Sequence, residues 1–269
     1  MEYAVKPLLF SIVTVVFNGE KDIEQTIQSC IGQDYPNKEY IIIDGASKDN
    51  TTGIIKKFKS SISYFVSAPD NGIYDAMNKA IKVATGDWII FMNCGDLFCD
   101  LNVLSSIVDA IKKNVDEPDV IYGNTLYRYK NTFLKTIPLP LDKIEREMVF
   151  CHQSCLVKVD LIKAQLFDIK YVHAADYCMM LNFYRQKKSF MYVDICISVF
   201  NQIDGNSLRN YIKSTKERFS LHKDYGSLNN AFILSKTLFR MTLGLIIKRI
   251  IPVKLKNFIF RRKYSARIV

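Results

Sequence analysis

The stretch Asp70-Asn71-Gly72-Ile73-Tyr74-Asp75-Ala76-Met77-Asn78-Lys79-Ala80-Ile81-Lys82-Val83-Ala84-Thr85-Gly86-Asp87-Trp88-Ile89-Ile90-Phe91-Met92-Asn93-Cys94-Gly95-Asp96 packs a turn, a helix, a buried strand and an acidic strand end together without slack. Asp70-Asn71-Gly72 is turn chemistry. From Ile73 to Ala84, apolar residues fall at 73, 77, 80, 81 and 84, which gives one helix face to a core. Asp75, Asn78, Lys79 and Lys82 are expected on the other face. Gly86 ends the helix, and 88–92 is a continuous apolar run of strand length. Open α/β sheets bind ligands at the carboxyl ends of their strands, so this block predicts a nucleotide and metal pocket ending at Asp96.

Working outward, 10–16 is an apolar, β-branched run expected to be a strand covered on both faces, and Asn18-Gly19 ends it. Ile23, Ile27, Cys30 and Ile31 recur at helical spacing, and Tyr35-Pro36-Asn37 is a turn. A second buried strand, 40–43, ends at Asp44. The loop 45–50, a helix around 52–59 and a third strand at 62–66 follow. This alternation predicts an α/β fold: a mixed, mostly parallel sheet flanked by helices, with right-handed crossovers. Downstream the pattern predicts helix at 103–112, strand at 120–122, irregular chain at 127–140, helix at 172–185, strand at 190–200 and a loop at 201–207. The run 149–157 carries Cys151-His152-Gln153-Ser154. The chain divides into a domain at 1–225, with halves at 1–97 and 98–225, and a basic tail at 226–269.

The 269 residues are 49% hydrophobic and 12% aromatic, enough for one large globular domain with an appendage. The net charge of +10 is uneven. Residues 225–269 hold ten Lys/Arg and no Asp or Glu, and the other 27 basic residues balance the 27 acidic ones. Any anionic surface this protein meets is therefore met by the tail. Seven scattered cysteines without a CxxC pair read as reduced thiols of a cytosolic protein. The apolar run 8–17 is too short to span a membrane and lacks the flanks of a secretory leader.

Several carboxylates have two readings. Asp44, at a strand end, suits a nucleoside contact or a cap for the next helix. Asp96, after Gly95, suits a hard cation shared with substrate phosphates, or a turn. Asp75 and Lys79, one helical turn apart, line a phosphate pocket or form a surface pair. Asp176, near a helix start that favours its ionised form, is a candidate base or a helix-start carboxylate. His152-Gln153 is an acceptor contact or a structural pair. No zinc-type His/Cys spacing, G-x-S-x-G or Walker lysine motif occurs.

The segments Phe10-Ser11-Ile12-Val13-Thr14-Val15-Val16-Phe17-Asn18, Ile41-Ile42-Ile43-Asp44-Gly45-Ala46-Ser47-Lys48-Asp49-Asn50-Thr51 and the whole 70–96 block resemble family 2 glycosyltransferases of the GT-A fold. The likeness is to the bacterial branch that builds O-antigen, capsule and exopolysaccharide, of which D-x-G-I-Y-D-A-M-N-K is a marker. It is strong over 1–100 and weaker over 150–207, and it does not cover the tail. The resemblance implies inverting transfer of a hexose, glucose or galactose, from a UDP-sugar. It implies a donor pocket of Thr14, Val16, Phe17, Asn18, Asp44, Asp70, Gly72, Asp75, Asn78, Lys79, Asn93 and Gly95, with Mn²⁺ or Mg²⁺ on Asp96. It makes 1–97 the nucleotide-sugar half and 98–225 the acceptor half. Asp176 resembles the catalytic base, and His152 and Gln153 fall in the acceptor half. Two departures stand out. The family's Asp-Asp after the second strand is Asp44-Gly45 here, and its D-x-D region is Asn93-Cys94-Gly95-Asp96, with one carboxylate.

Residues 231–251 mix large apolar residues with Lys236 and Arg240, which argues against a spanning helix. An interfacial helix on the inner face of the bacterial cytoplasmic membrane is expected, with a helix packed on the domain as the alternative. Membrane docking would bring the site to a lipid-linked, undecaprenyl-diphosphate sugar acceptor; a non-lipid acceptor is the second reading. A homodimer is compatible with the sequence. A nucleotidyltransferase would need a glycine- and basic-rich loop after the first strand, where Phe17-Asn18-Gly19-Glu20 stands. A nucleic-acid-binding module using the tail leaves the 70–96 block without a purpose, so no nucleic acid is expected.

Overall fold

The computed structural model describes residues 7–129, 132–201, 211–224 and 239. Strand β1 (Phe10–Val16) is buried along its whole length and pairs in parallel with β2 (Lys38–Asp44), from Phe10↔Lys38 to Val16↔Asp44. β3 (Tyr64–Ser67) lies parallel beside β2. β4 (Trp88–Phe91) lies parallel on the opposite side of β1. Helices α1 (Ile23–Ile31), α2 (Thr51–Lys57) and α3 (Ile73–Val83) make the connections. The chain thus winds outward from β1 to β3 and then returns to place β4 on the far side of β1. That reversal opens a crevice beyond the carboxyl ends of β1 and β4.

The sheet continues as β4-β8-β6-β9-β5, with β7 paired to β6. These strands are β5 (Leu97–Phe98), β6 (Val120–Tyr129), β7 (Thr132–Thr136), β8 (Cys155–Lys158) and β9 (Phe190–Asn201). β8 runs antiparallel to β4 and β6, and β9 runs parallel to β6. The helices of this half are α4 (Val103–Lys113), α5 (Val159–Ala164), α6 (Ala175–Arg185) and α7 (Tyr211–Asp224). One sheet runs through both the nucleotide-side and acceptor-side stretches, and its strand alternation divides the core. Val13, Val15, Ile41, Ile43, Ile89 and Phe91 face α3, α5 and α6. Phe10, Ile12, Tyr40, Ile42, Trp88 and Ile90 face α1, α2 and α4. Each fully buried side chain of this kind contributes about 1.5–3 kcal/mol.

The structure revises three expectations. Among its described residues, the stretch 127–140 is irregular only at 137–140; before it, β6 and β7 form an antiparallel ribbon from Thr125↔Thr136 to Tyr129↔Thr132. The ribbon pairs Leu126 with Lys135 and Arg128 with Phe133, and Phe133 is exposed. Neither face is buried enough to impose an apolar alternation. Helix α6 begins at Ala175 rather than at 172. Asn78 is not on the solvated face of α3. It is buried, and it bridges to Phe167 through Nδ2 to the carbonyl and from the Phe167 N–H to Oδ1, each 2.9 Å. Most of the 201–207 loop and the 226–269 tail, apart from Phe239, lie outside the described residues. Among the described residues, no helix is long and apolar enough to cross a membrane.

Candidate active site

The loops after β1 and β2 are laced together at the crevice. The Asn18 N–H donates to Ser47 Oγ (2.7 Å), and the Lys48 N–H donates to Asn18 Oδ1 (2.8 Å). Asn18 adopts a positive φ to do this. Asp44 is fully buried. Its carboxylate accepts from the Ser47 N–H (3.0 Å), from Ser67 Oγ (2.5 Å) and, by a short bond, from Ser47 Oγ. Asp44 therefore ties its own loop rather than capping α2, whose N-cap position is Asn50. Thr14 is buried below, spending its hydroxyl on the Met92 carbonyl and the Tyr40 phenol, so it supports the crevice floor rather than lining the mouth. Val16 is buried beside it, whereas Phe17 is 63% exposed and offers an open aromatic face at the rim.

Gly45 explains the missing second acid after β2. A Cβ at this position would lie 2.5 Å from Asp70 Oδ2. The carboxylate of Asp70 thus fills the space that a residue-45 side chain would need, bringing an acid to that place from another loop. Asp70 Oδ1 accepts from the Gly72 N–H (2.9 Å). Asp75 accepts from the Asn71 N–H (2.9 Å), which holds its carboxyl below the usual range. Lys79 pairs with Asp75 (3.3 Å) and donates to the Pro69 carbonyl (2.8 Å). The Asp75–Lys79 pair is therefore a brace that fixes the 69–72 turn at the crevice.

The turn after β4 is built differently. Gly95 has a φ of 98°, a conformation that costs other residues a strained backbone. Thr26 Oγ accepts from the Gly95 N–H (3.0 Å) and donates to the Asp96 carbonyl (3.1 Å). Asp96 is 5% exposed, and its side chain accepts one bond, from the Asn201 N–H at 3.3 Å. Burial pushes its carboxyl up to about 8. Asn93, in the same turn, is also buried, and its Oδ1 has no hydrogen-bond partner. Buried oxygens left short of donors are costly unless something else satisfies them. An under-served carboxylate beside an orphaned amide oxygen is a hard-oxygen donor set that fits Mg²⁺ or Mn²⁺, with phosphate and water completing the shell. Among the described residues, no group of three or more His, Cys, Asp or Glu could hold a metal unaided.

Asp176, in the first turn of α6, is tied to α3 on the same face of the sheet. Its Oδ1 accepts from the Tyr74 phenol of α3 (2.9 Å) and from the Tyr177 N–H (2.8 Å). His152 stacks on Phe91 of β4, with ring centroids 5.3 Å apart, and meets the edge of Phe167 at 5.6 Å. Burial lowers its pKa, opposed by the Asp176 charge. The neighbouring Cys151 thiol is pushed up to about 12, by burial first and then by the Asp96 charge. The Asp96 charge thus acts on Cys151 and the Asp176 charge on the adjacent His152. Gln153 is buried and accepts from Cys151 Sγ (3.1 Å) through Oε1.

Sequence reasoning missed Tyr74, Thr26 and the Ser47–Ser67 pair. Tyr74 was hidden because it borders the apolar stripe at 73 and 77 and looks like a core flank. Its phenol partner lies 102 positions away. Thr26 falls inside an amphipathic helix, where a hydroxyl carries no sequence signal.

Comparison with known proteins agrees with this geometry. A mycobacterial glycosyltransferase (Mycobacterium tuberculosis, strain H37Rv) is 34% identical over 173 residues, 62% of this chain and 65% of that protein. The chain thus spans about two thirds of the length of that relative. The Escherichia coli UDP-Glc:alpha-D-GlcNAc-diphosphoundecaprenol beta-1,3-glucosyltransferase WfgD is 29% identical over 178 residues, 65% of this chain and 69% of its own. Among solved structures, S. aureus TarS 1–349 in complex with UDP-GlcNAc superposes with a TM-score of 0.69 at 16% identity, covering 93% of this chain and 78% of that one. The Pyrobaculum calidifontis mannosyltransferase PcManGT, in complex with GDP-Man and Mn2+, gives 0.62 at 14% identity, covering 97% and 81%. These two likenesses are of fold. The sequence model of glycosyl transferase family 2 matches residues 11–185, more than half of the chain. With the crevice at the β1–β4 reversal and this match in hand, the chain belongs to glycosyl transferase family 2 and has its GT-A fold.

Proposed function

We infer that this glycosyltransferase moves a hexose, glucose or galactose, from a UDP-sugar to a sugar on undecaprenyl diphosphate, with inversion, in the assembly of a surface polysaccharide. The single observation that carries the reading is a pair of unlike carboxylates, one after β4 and one at the start of α6. Asp96 is buried and short of donors, and Asp176 is held by one oxygen only. The glucosyltransferase relative from E. coli, whose name gives a UDP-glucose donor and a diphosphoundecaprenol-linked GlcNAc, supports the donor and acceptor classes.

In this reading the nucleoside lies against Phe17 and the loops of Asn18 and Asp44; a base contact by Asp44 would exchange one serine bond for one ligand bond. The diphosphate lies toward Gly72, the braced Asp75–Lys79 turn and the Asn93–Asp96 turn. Asp96, aided by Asn93 Oδ1, would hold Mn²⁺ or Mg²⁺. Such an ion, when bound, offsets the charge on the departing diphosphate. Asp176 removes the proton from the acceptor hydroxyl as its oxygen bonds to the anomeric carbon and the bond to the diphosphate breaks. Neutral His152 and Gln153 border the acceptor. Holding both sugars in line lowers the barrier further. The basic tail is proposed to lie on the cytoplasmic face of the membrane, where the lipid-linked acceptor is found.

A donor panel tests the reading, scored by nucleotide release with lipid-diphosphate-GlcNAc or -GalNAc, with and without Mn²⁺. UDP release from UDP-glucose or UDP-galactose that requires the lipid acceptor supports it. Release with a soluble acceptor only, or from a GDP-sugar only, overturns it. A chain ending near Tyr225 should fail to float with anionic vesicles that carry the full chain.

A further inference from the structure

We propose that Tyr74 positions the catalytic base: its phenol and the Tyr177 N–H both hold Oδ1 of Asp176, which leaves Oδ2 as the oxygen that takes the acceptor proton. The inference rests on the reading of Asp176 as the base and adds which oxygen acts and what orients it.

Both donors converge on Oδ1, at 2.9 Å from the phenol and 2.8 Å from the N–H. Oδ2 has no hydrogen-bond partner among the described residues. A carboxylate held at one oxygen cannot rotate freely about its last torsion, so the other oxygen keeps one direction. The two anchors come from different parts of the chain. The N–H belongs to the first turn of α6, and the phenol comes from α3, whose N-terminus also frames the donor turn at Gly72. Tyr74 is itself fixed: it is buried, and its ring lies 5.2 Å from that of Phe167. Asn78, one turn along α3, binds the Phe167 backbone at both its N–H and its carbonyl. This explains why Asn78 of the D-N-G-I-Y-D-A-M-N-K block points inward: Tyr74 and Asn78 together lock the donor-side helix to the acceptor side. The base is thereby set relative to the donor turn by one rigid helix.

The phenol stays a donor across the working range, because burial and then the Asp176 charge hold it well above its usual pKa. The titratable groups facing this pair are His152 from the turn before β8, neutral in its buried setting, and Glu217 from α7. Glu217 accepts from the His173 N–H at 2.7 Å. Neither one is hydrogen-bonded to Asp176.

The test follows the Asp176 side-chain carbon by NMR in the full, ¹³C-aspartate-labelled chain, with Asp176→Asn assigning the signal. At one constant pH, Tyr74→Phe should shift the Asp176 carboxyl resonance, because one of the two donors on Oδ1 is gone. The stronger donor 3-fluorotyrosine at position 74 should shift it the opposite way. An unchanged resonance in both would overturn the proposal; if Tyr74→Phe fails to fold, the near-isosteric fluorotyrosine decides alone. UDP release, measured in parallel with the donor and acceptor found active in the panel, separates the two levels. Asp176→Asn turning over normally would remove the base reading and the Oδ2 assignment with it. Asp176→Asn inactive, with both resonances unmoved, would remove only Tyr74.

Discussion

Two buried carboxylates stand at the carboxyl ends of β2 and β4, on either side of β1, and the protein treats them in opposite ways. Asp44, after β2, is fully buried and accepts from three donors supplied by Ser47 and Ser67. Asp96, after β4, is nearly as buried but accepts one long bond, and the Asn93 oxygen in its turn has no partner. Burial alone cannot separate their roles; donor supply can. A saturated carboxylate is part of the scaffold, whereas one left short of donors is waiting for charge from outside the chain.

The largest effect that would break this comparison is on turnover. On the proposed reading, Asp96→Asn should lower transfer by about 10²-fold or more, because the group that would hold the diphosphate's counter-ion is gone. It should leave thermal stability unchanged or improved, since a poorly solvated acid is removed. A parallel loss of stability, read in the same melting curves, would show that Asp96 is scaffold too. Asp44→Ala should do the reverse first. It strands three donors and should cost about 2–4 kcal/mol in urea unfolding. A neutral result would mean that the serine bonds contribute nothing.

Asn93→Asp sharpens the contrast. A second acid in the turn after β4 should destabilise the metal-free protein by about 1–3 kcal/mol through like-charge crowding in a buried place. It should also enlarge the stabilisation produced by Mn²⁺ with UDP. Calorimetric melting with and without both ligands checks the two signs together.

The smallest expected effect concerns pH. Burial lowers the His152 pKa below its ordinary 6.5. Below that pH the unfolded chain takes up a proton that the folded one refuses, so the folded state loses stability as pH falls from about 6.5 toward the lowered value. His152→Phe, which keeps the stack on Phe91, should flatten this contribution to the slope of unfolding free energy, while Asp96→Asn should steepen the slope, because Asp96, pushed up to about 8, carries a proton in the folded state that the unfolded chain has lost in this window.

The first hundred residues were the most legible. The apolar run at 10–16 and the stripe at 73, 77, 80 and 81 appear as β1 and the buried face of α3. In such elements one periodic pattern meets one buried face. Asn78 was misplaced because periodicity assigns polar residues to solvent and cannot foresee Phe167 arriving from 89 positions away. The β6–β7 ribbon was missed because its faces are half wet and carry no alternation. Gly45 looked like the loss of an acid, and only the fold shows Asp70 occupying that place. The tail was legible as basic and amphipathic, but it lies outside the described residues.

By itself the sequence determined the strand-helix alternation and put Asp44, Asp96 and Asp176 forward as candidates. The alternation depends on local spacing and on turn chemistry, which neighbours along the chain settle. Only the tertiary structure decided which carboxylate is saturated and which oxygen of Asp176 is tied. Those facts depend on donors delivered across 23 positions for Asp44, 102 for Asp176 and 105 for Asp96. Such pairings have no period in sequence. They arise only when α3, α6 and the end of β9 are packed against one sheet.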